Sequence, residues 1–553
     1  MHLRKQESTG ALLLAITLCL AIAFPVAAQL DPLASWEGDE AEEQFGVAAA
    51  LGGDFDSDGF ADLAVGASTS DAGGENAGQV CVYLGGSAPP AEPDLELMGE
   101  PGSFFGAAVA WAGDVNDDGF EDLLVGAFRD DEAGTLAGKA YLYLGGDPFD
   151  GAADLVLTGP SAGAYFGRAV AGAGDLNLDG WDDFAVGAPR TAAGTVFVYF
   201  GGGVPDTIPD LVLQGPGEDS RFGTAVAGAG DVDGSEGPDL LVGASRVSQT
   251  HTWQGGAFLF SGGAGLDDLP DWSVLGEGGG DHLGSSVAGA GDVNGDGAQD
   301  ILVGAPYWND GTIIDAGAAY LYFGGAELDT IIDFSLTGDA QEDQLGRCVA
   351  GLGDVTGSGF SHFVAGAPGN DDAGAPGWVA VSSGGDPPQP DEVIILNGED
   401  PGDQFGFSVA GEGRMERTFA GDGRPDLIVG AWSHGLGGKA YLYGQEGMPS
   451  AVDRGGSQLV SAYALEVRPN PGDLFQLSLE VPGDHSGRVH IDILDVRGSQ
   501  VRSMLLRPSD AQHLTANWDG RTGSGRAVPA GVYFYRVSAG GRALAGGRLL
   551  VVR

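Results

Sequence analysis

The sequence predicts an all-β protein: a seven-bladed β-propeller followed by a small immunoglobulin-like β-sandwich. Three observations carry this. One unit recurs seven times at steps of 56 to 62 residues, each copy breaks into four short β-type runs, and the composition changes after Gly447. Self-similarity at such a period marks a stacked or radial repeat architecture.

In chain order, the first element is a targeting segment. Arg4 and Lys5 precede the apolar run 11–24, and Val26-Ala27-Ala28 offers small residues for cleavage before Gln29. This is the pattern of a secretory signal over residues 1–28. The run is short for a transmembrane helix, and no other stretch has the apolar length to span a bilayer. The expectation is an exported protein, secreted or on the outer cell surface, with no membrane insertion after cleavage. The mature chain would keep only Cys81 and Cys348, which fall in different repeats and read as small buried hydrophobes.

The repeats occupy 29–447. The unit runs FG-x-x-V-A-G-x-G-D, then an acidic turn, then D-L-L-V-G-A, and its opening Gly recurs at 46, 106, 167, 223, 284, 346 and 406. In unit two the β-type runs are 107–115, 121–127, 138–146 and 153–159, bounded by Gly, Asp and Pro, with no helical period. Four strands per repeat predict a propeller blade. The period exceeds that of WD40 and kelch blades and is far from the nine-residue step of a calcium-binding β-helix. Unit seven lacks a fourth strand, whereas PLASWEG (32–38) stands alone before unit one and aligns with ADLVLTG and its relatives. The N-terminal strand is therefore expected to complete blade seven, which removes an open sheet edge.

The acidic turns carry the chemistry. In unit two Asp114, Asn116, Asp118 and Asp122 occupy positions 1, 3, 5 and 9, with Gly119 at position 6 and the Phe120 carbonyl at position 7. Alternate oxygens can converge on one point, and that number of hard oxygens suits Ca²⁺. Three further full copies place the same five positions at Asp54, Asp56, Asp58, Phe60 and Asp62, at Asp175, Asn177, Asp179, Trp181 and Asp183, and at Asp292, Asn294, Asp296, Ala298 and Asp300. A weaker set is Asp231, Asp233, Ser235 and Asp239, where Ser235-Glu236 replaces the usual Asp-Gly. Unit six keeps Asp354, with His362 at position 9, and unit seven keeps Asp422 and Asp426 after an insertion. Position 12 is Val65, Val125, Val186 and Val303 in the full copies, so the bidentate Glu of an EF-hand is missing. A hairpin turn alone needs one or two such residues, not four at fixed alternate positions.

A family resemblance rests on these residues. Phe45-Gly46, Phe105-Gly106, Phe166-Gly167, Phe222-Gly223 and Phe405-Gly406, with Gly187-Ala188-Pro189, Gly304-Ala305-Pro306 and Gly366-Ala367-Pro368, resemble FG-GAP repeats. Units five and six depart from the pattern through Leu283 and Leu345. That family includes the propeller of integrin α subunits and many bacterial surface proteins. The resemblance implies calcium loops of the integrin type, closed by the carboxylate at position 9.

After a linker at 448–461, residues 462–553 hold roughly seven alternating strands, which suggests an immunoglobulin-like sandwich. Pro469-Asn470-Pro471, Trp518-Asp519-Gly520-Arg521 and 529–535 (PAGVYFY) are similar to the Ig-like module of the flagellar hook-capping protein family. The same pattern is similar to C-terminal sorting domains of bacterial type IX secretion, and a plain spacer is the alternative.

Charge and motifs narrow the function. The formal net charge is −54, which opposes nucleic acid and anionic membrane as partners. No nucleophile elbow, HExxH or Cys-His pair is present, so the protein is read as a binding rather than a catalytic module. A secreted propeller enzyme acting on polysaccharide or lipid, and a structural surface-layer scaffold, are the alternatives. The calcium turns would lie on one rim of the propeller, which leaves the loops 245–254, 306–315 and 431–437 on the other. Trp253, Tyr307, Trp308 and Trp432 there would anchor an unknown protein or glycan ligand, unless they pack between blades.

Overall fold

The computed structural model describes residues 30–444 apart from short loop stretches, the longest being 370–375, together with the strands between 465 and 551. The expected signal segment (1–28), the linker (448–461), Glu236 and Asp422 lie outside the described residues.

Blade one sets the pattern. After the lone strand β1 (Asp31–Glu37) come β2 (Phe45–Gly53), β3 (Asp62–Ala67), β4 (Gln79–Tyr83) and β5 (Leu95–Met98), in the order β2-β3-β4-β5. Five further four-stranded sheets repeat it. The seventh takes Ser408–Gly411, Leu427–Ala431 and Lys439–Gly444 and adds β1 at its outer edge. There Trp36 pairs with Ala440 and Glu37 with Lys439, antiparallel. The last blade is thus built from both ends of the propeller segment, which ties the ring shut.

Each strand suits its radius. The innermost strands are rich in Ala and Gly because they converge on the axis, and a methyl at Gly228 would stand 2.7 Å from the Gly172 carbonyl oxygen. The second strands are buried on both faces along their whole length (DLAVGA in β3), as expected of a continuous apolar run between neighbours. The outermost strands of blades one to three each bury a single Leu and leave their other residues partly or fully exposed. Core side chains lie between blades rather than within them: Leu124 and Leu142 of blade two pack with Val170, Phe184 and Val186 of blade three.

The two halves of the repeat motif meet at the blade boundary. The Phe or Leu that opens each unit bridges in parallel to the Gly before the third strand of the preceding blade, from Gly78↔Phe105 round to Phe45↔Gly438. A Cβ on Gly66 would lie 2.0 Å from the carbonyl oxygen of Gly106, and one on Gly430 would lie 2.0 Å from that of Gly46. These contacts also extend the inner strand of blade two to Phe105–Gly113, two residues earlier than the apolar run suggests. Outer strands run shorter than the β-type runs because the Asp before each accepts the amide that ends the third strand, as in Leu144 N–H to Asp154 at 2.9 Å.

The C-terminal module forms two four-stranded sheets. One joins Leu465–Asn470, Leu474–Glu480, His513–Trp518 and Arg507–Pro508, and the other joins Gln500–Leu505, Val489–Leu494, Gly531–Ala539 and Arg542–Val551. That is a β-sandwich of eight strands, one more than the alternation suggests, and the extra strand is the two-residue Arg507–Pro508.

Gly126→Ala, whose methyl would sit 2.0 Å from the Gly167 carbonyl oxygen, should cost about 2–4 kcal/mol by forcing backbone apart. Gly59→Ala, where φ is +92° but no atom lies within 4 Å, should cost only about 1 kcal/mol of backbone strain. Urea unfolding of the two variants checks the contrast.

Candidate functional site

Each acidic turn follows an innermost strand and precedes a second strand, so all lie on one rim. Position 6 is left-handed in every full copy (φ +92° at Gly59, +93° at Gly119). Position 4 is left-handed too, at Ser57, Asp117, Leu178 and Gly295, a requirement the sequence reading missed. Gly295 and Gly357 at that position were the available signal.

The side chains at positions 1, 3 and 5 fold back on the loop. Asp114 accepts the Asp118 amide at 3.0 Å and the Gly119 amide at 2.8 Å, and Asn116 accepts the Asp118 amide at 3.1 Å. In unit three Asp175 and Asn177 each accept the Asp179 amide at 2.9 Å. In unit five Asp292 accepts the Asp296 amide at 3.1 Å and Asn294 accepts it at 2.9 Å. The amides of Phe60, Phe120, Trp181 and Ala298 donate to the carboxylate at position 5 at 2.9–3.1 Å.

The expected convergence of oxygens divides the copies. In unit one the carboxylate oxygens of Asp54, Asp56 and Asp58 lie within 4.8 Å of one another. Unit four does the same with Asp231, Asp233 and Asp239, although Ser235 contributes its amide to both Asp231 and Asp233. Units two, three and five carry Asn116, Asn177 and Asn294 at position 3, so the middle oxygen there is a side-chain amide oxygen rather than a carboxylate. The side-chain amides of Asn116, Asn177 and Asn294 donate to Asp118, Asp179 and Asp296, each at 2.9 Å. An Asn brings one oxygen and two N–H donors, so here it holds the position-5 carboxylate by a hydrogen bond instead of adding a third carboxylate. Asn177, Asp179, Asn294 and Asp296 thus stand at the predicted places in the loop, but as a bonded pair in each turn. The unit-six loop keeps the fold with Ser358 N–H on Asp354 at 2.8 Å and buries His362 at position 9.

The carboxylate at position 9 has a second task. Asp62, Asp122, Asp183, Asp239 and Asp300 are fully buried. One oxygen of Asp62 accepts the Phe55 amide at 2.7 Å and the other accepts the Gly85 amide at 2.7 Å, which ties the turn to the end of β4. Asp122 and Asp300 accept the equivalent amides of Val115 and Gly145, and of Val293 and Gly324. Asp183 accepts those of Asn177 at 3.3 Å and Gly201 at 2.8 Å. Each oxygen keeps a further lone pair for a cation. Burial, against the pull of those amides, pushes the carboxyls of Asp62 to about 8, Asp122 and Asp183 to about 7, and Asp239 and Asp300 to about 6.

On the opposite rim the four aromatics separate. Trp253 is exposed (44%) and stacks edge-on to His282, which also meets Tyr307 at 5.1 Å. Burial, with Arg246 and Arg221 nearby, lowers the His282 pKa. Trp308 instead packs half-buried against the core between blades four and five. Trp432 is half-buried, donating from its indole to Gln404 at 2.6 Å and meeting Phe407 edge-on. The structure thus gathers Trp253 and Tyr307, sets Trp308 into inter-blade packing, and holds Trp432 against Gln404 and Phe407 at the start of its own blade. Cys81 and Cys348 lie in separate blades and form no disulfide.

The family described as FG-GAP repeat matches residues 45–83, 166–199 and 283–322, and the FlgD Ig-like domain matches 472–542. The chain carries FG-GAP repeats and a FlgD Ig-like domain. Among curated relatives the FG-GAP propeller is similar to integrin alpha-5 of Xenopus laevis, 41% identical over 167 residues (28% of this chain, 16% of the relative). It is also similar to human integrin alpha-7, 40% identical over 171 residues (30% of this chain, 14% of the relative). The chain therefore spans about one-sixth of the length of the integrins it matches. Among solved structures, PorZ, titled a surface component of the type-IX secretion system of Porphyromonas gingivalis, aligns at 14% identity with TM-score 0.39, over 89% of this chain and 58% of that one. FLGD from P. aeruginosa aligns at 26% identity with TM-score 0.13, over 17% of this chain and 77% of that one.

The raised carboxyls give a pH dependence with a definite sign. Without a cation, the folded propeller holds protons on these five aspartates that the unfolded chain has already released above its pKa of 3.8. Stability then falls as pH rises between about 4 and 8. Melting temperature in EDTA should be higher at pH 5 than at pH 8, and millimolar Ca²⁺ should remove or reverse that slope.

Proposed function

We propose that this is an exported, calcium-binding protein of the cell surface or secreted space, a ligand-binding or adhesion module rather than an enzyme. The observation that carries the calcium reading is the convergence of the Asp54, Asp56 and Asp58 carboxylate oxygens within 4.8 Å, on a loop whose backbone turn three further copies share. An all-oxygen donor set, with no thiolate or imidazole in the full copies, favours Ca²⁺ over transition metals. Side chains at positions 1, 3, 5 and 9, with the carbonyl at position 7, would hold it. In units two, three and five the oxygens of Asn116, Asn177 and Asn294 would serve at position 3, once their amides release the carboxylates of Asp118, Asp179 and Asp296. Bound there, the ion neutralises carboxylates that otherwise repel and locks the turn between the first two strands of a blade. Export is supported by the pattern of residues 1–28, and adhesion by likeness to integrin α over part of the propeller.

Extracellular modules bind Ca²⁺ with Kd of about 10⁻⁴–10⁻³ M. At about 2 mM Ca²⁺ and a Kd of about 10⁻⁴ M each site contributes roughly 1.8 kcal/mol, and four independent sites contribute about 7 kcal/mol. Chelation with EDTA should therefore lower the propeller's melting temperature by many degrees. Asp118→Ala should remove about one site's share, and Asp354→Ala almost nothing. Coinciding melts with and without calcium would sink the reading.

The ligand is to be sought on the rim that carries Trp253. A glycan and protein array probed in Ca²⁺ should yield binders whose signal drops at least tenfold in Trp253→Ala. Undiminished binding by that variant would move the site elsewhere.

A further inference from the structure

Between residues 30 and 444 the chain contains nine arginines: six belong to the rim opposite the acidic turns, and Arg414, Arg417 and Arg424 fall in the sequence between the first two strands of blade seven. Arg129, Arg190 and Arg246 follow the second strand of their blades, while Arg168, Arg221 and Arg347 flank the start of an innermost strand. These six stand in a chain of 79 carboxylates and net charge −54.

The basic residues differ in how they are compensated. Lys139 is ion-paired with Asp130 at 3.2 Å, and Lys439 with Glu37 at 3.3 Å and Glu399 at 3.2 Å. None of the six guanidinium groups lies within 4.0 Å of a carboxylate among the described residues. They rest on rings instead: Arg129 over Phe104 at 4.2 Å, Arg190 over Tyr165 at 4.1 Å, Arg246 over Trp253 at 4.9 Å, Arg347 over Phe407 at 4.8 Å. Arg168 shares Phe128 with Arg129. The Nε of Arg221 is buried and meets no hydrogen-bond acceptor among the described residues.

These charges also act on each other. Burial, then Arg347, Arg190 and Arg221, pull Arg168 down to about 10. Arg168 and Arg347 immediately precede the innermost strands of blades three and six, so both stand at the axial opening of this rim. Asp219, whose charge opposes the depression at Arg221, forms no ion pair with it. The result is a set of planar donors seated on rings and without ion pairs among the described residues, each of which suits a carboxylate bidentately.

We propose that the axial mouth of this rim receives acidic side chains of a partner protein, gripped by Arg168 and Arg347 with Arg190, Arg221 and Arg246 beside them. The inference rests on the reading of this rim as the ligand face and names the chemistry it takes. A long polyanion is disfavoured, because beyond a Debye length of about 10 Å it would meet the acidic remainder of the surface. A sugar acid is disfavoured because the guanidinium groups already occupy faces of the rings on which a pyranose would stack, and of these rings Trp253 alone is exposed.

The test titrates the calcium-loaded full chain with acetylated, amidated tetraglutamate, with tetraglutamine and with tetragalacturonate, read by calorimetry. Tetraglutamate should bind at least tenfold tighter than tetraglutamine. Arg168→Gln with Arg347→Gln should weaken it at least tenfold. Arg168→Lys with Arg347→Lys, which keeps charge but loses the fork, should fall between, and the Gln pair should melt no lower than wild type because repulsion is relieved. Equal binding by wild type and the Gln pair, or a lowered melt of that pair, would overturn the proposal. So would tetragalacturonate binding where tetraglutamate does not. None of these results depends on the array or on Trp253→Ala, so failure here leaves the reading of the rim as ligand face to be judged separately.

Discussion

The ring depends on one contact, made where the opening glycine of each unit meets the glycine of the V-G-A strand in the blade before it. At 2.0 Å from a carbonyl oxygen, a methyl group cannot be accommodated at Gly66 or Gly430 without separating the blades. Two backbones pressed this close bring the second strand of one blade and the first strand of the next into van der Waals register. The apolar side chains of both then interlock between them, as Trp36, Phe45, Leu63 and Val65 do with Ile428 and Leu442 at the closure. Both halves of the repeat motif are accounted for by this contact, including the glycines that a description of single strands would leave unexplained.

Given that ring, polarity follows from strand direction. Every innermost strand runs toward the same end, so all first turns fall on one rim and all second loops on the other. The acidic turns gather there, and the buried carboxylates at position 9 join each turn to the end of the third strand through two backbone amides. Those carboxyls are desolvated and crowded by their neighbours, which is why they hold protons so firmly when no cation is present. A divalent ion at such a turn would act on blade geometry directly, because the same side chains serve the turn and the sheet. The other rim carries six arginines among carboxylates of its own.

Much of this was legible in the residues. The four strands per unit, the alternate-oxygen turns with Gly at position 6, and the outer strand supplied by 32–38 are local patterns set by side-chain period and turn chemistry. Repetition made them readable, since one acidic turn could be accident and four at fixed spacing are not. Spacing alone treats Asp56 and Asn177 as equals, and the side-chain amide that turns Asn177 onto Asp179 separates them. The arginines are readable in the same way as the turns, because they flank the F-G and V-G-A landmarks. A net charge of −54 hides them, since it dilutes six positive residues in any sum over composition.

The sequence alone determined the all-β class, the blade count, the order of strands and the positions of the oxygen donors, because each depends on residues near one another in the chain. Tertiary structure decided what depends on neighbours from other blades. It set Trp308 into inter-blade packing and tied Trp432 to Gln404 while leaving Trp253 exposed, and it gave the carboxylate of Asp62 the Gly85 amide, 23 residues away, as a partner. It also placed Arg168 and Arg347, far apart in sequence, on two blades that share one axial opening. Burial and electrostatic coupling are properties of the closed ring, and no single repeat contains them.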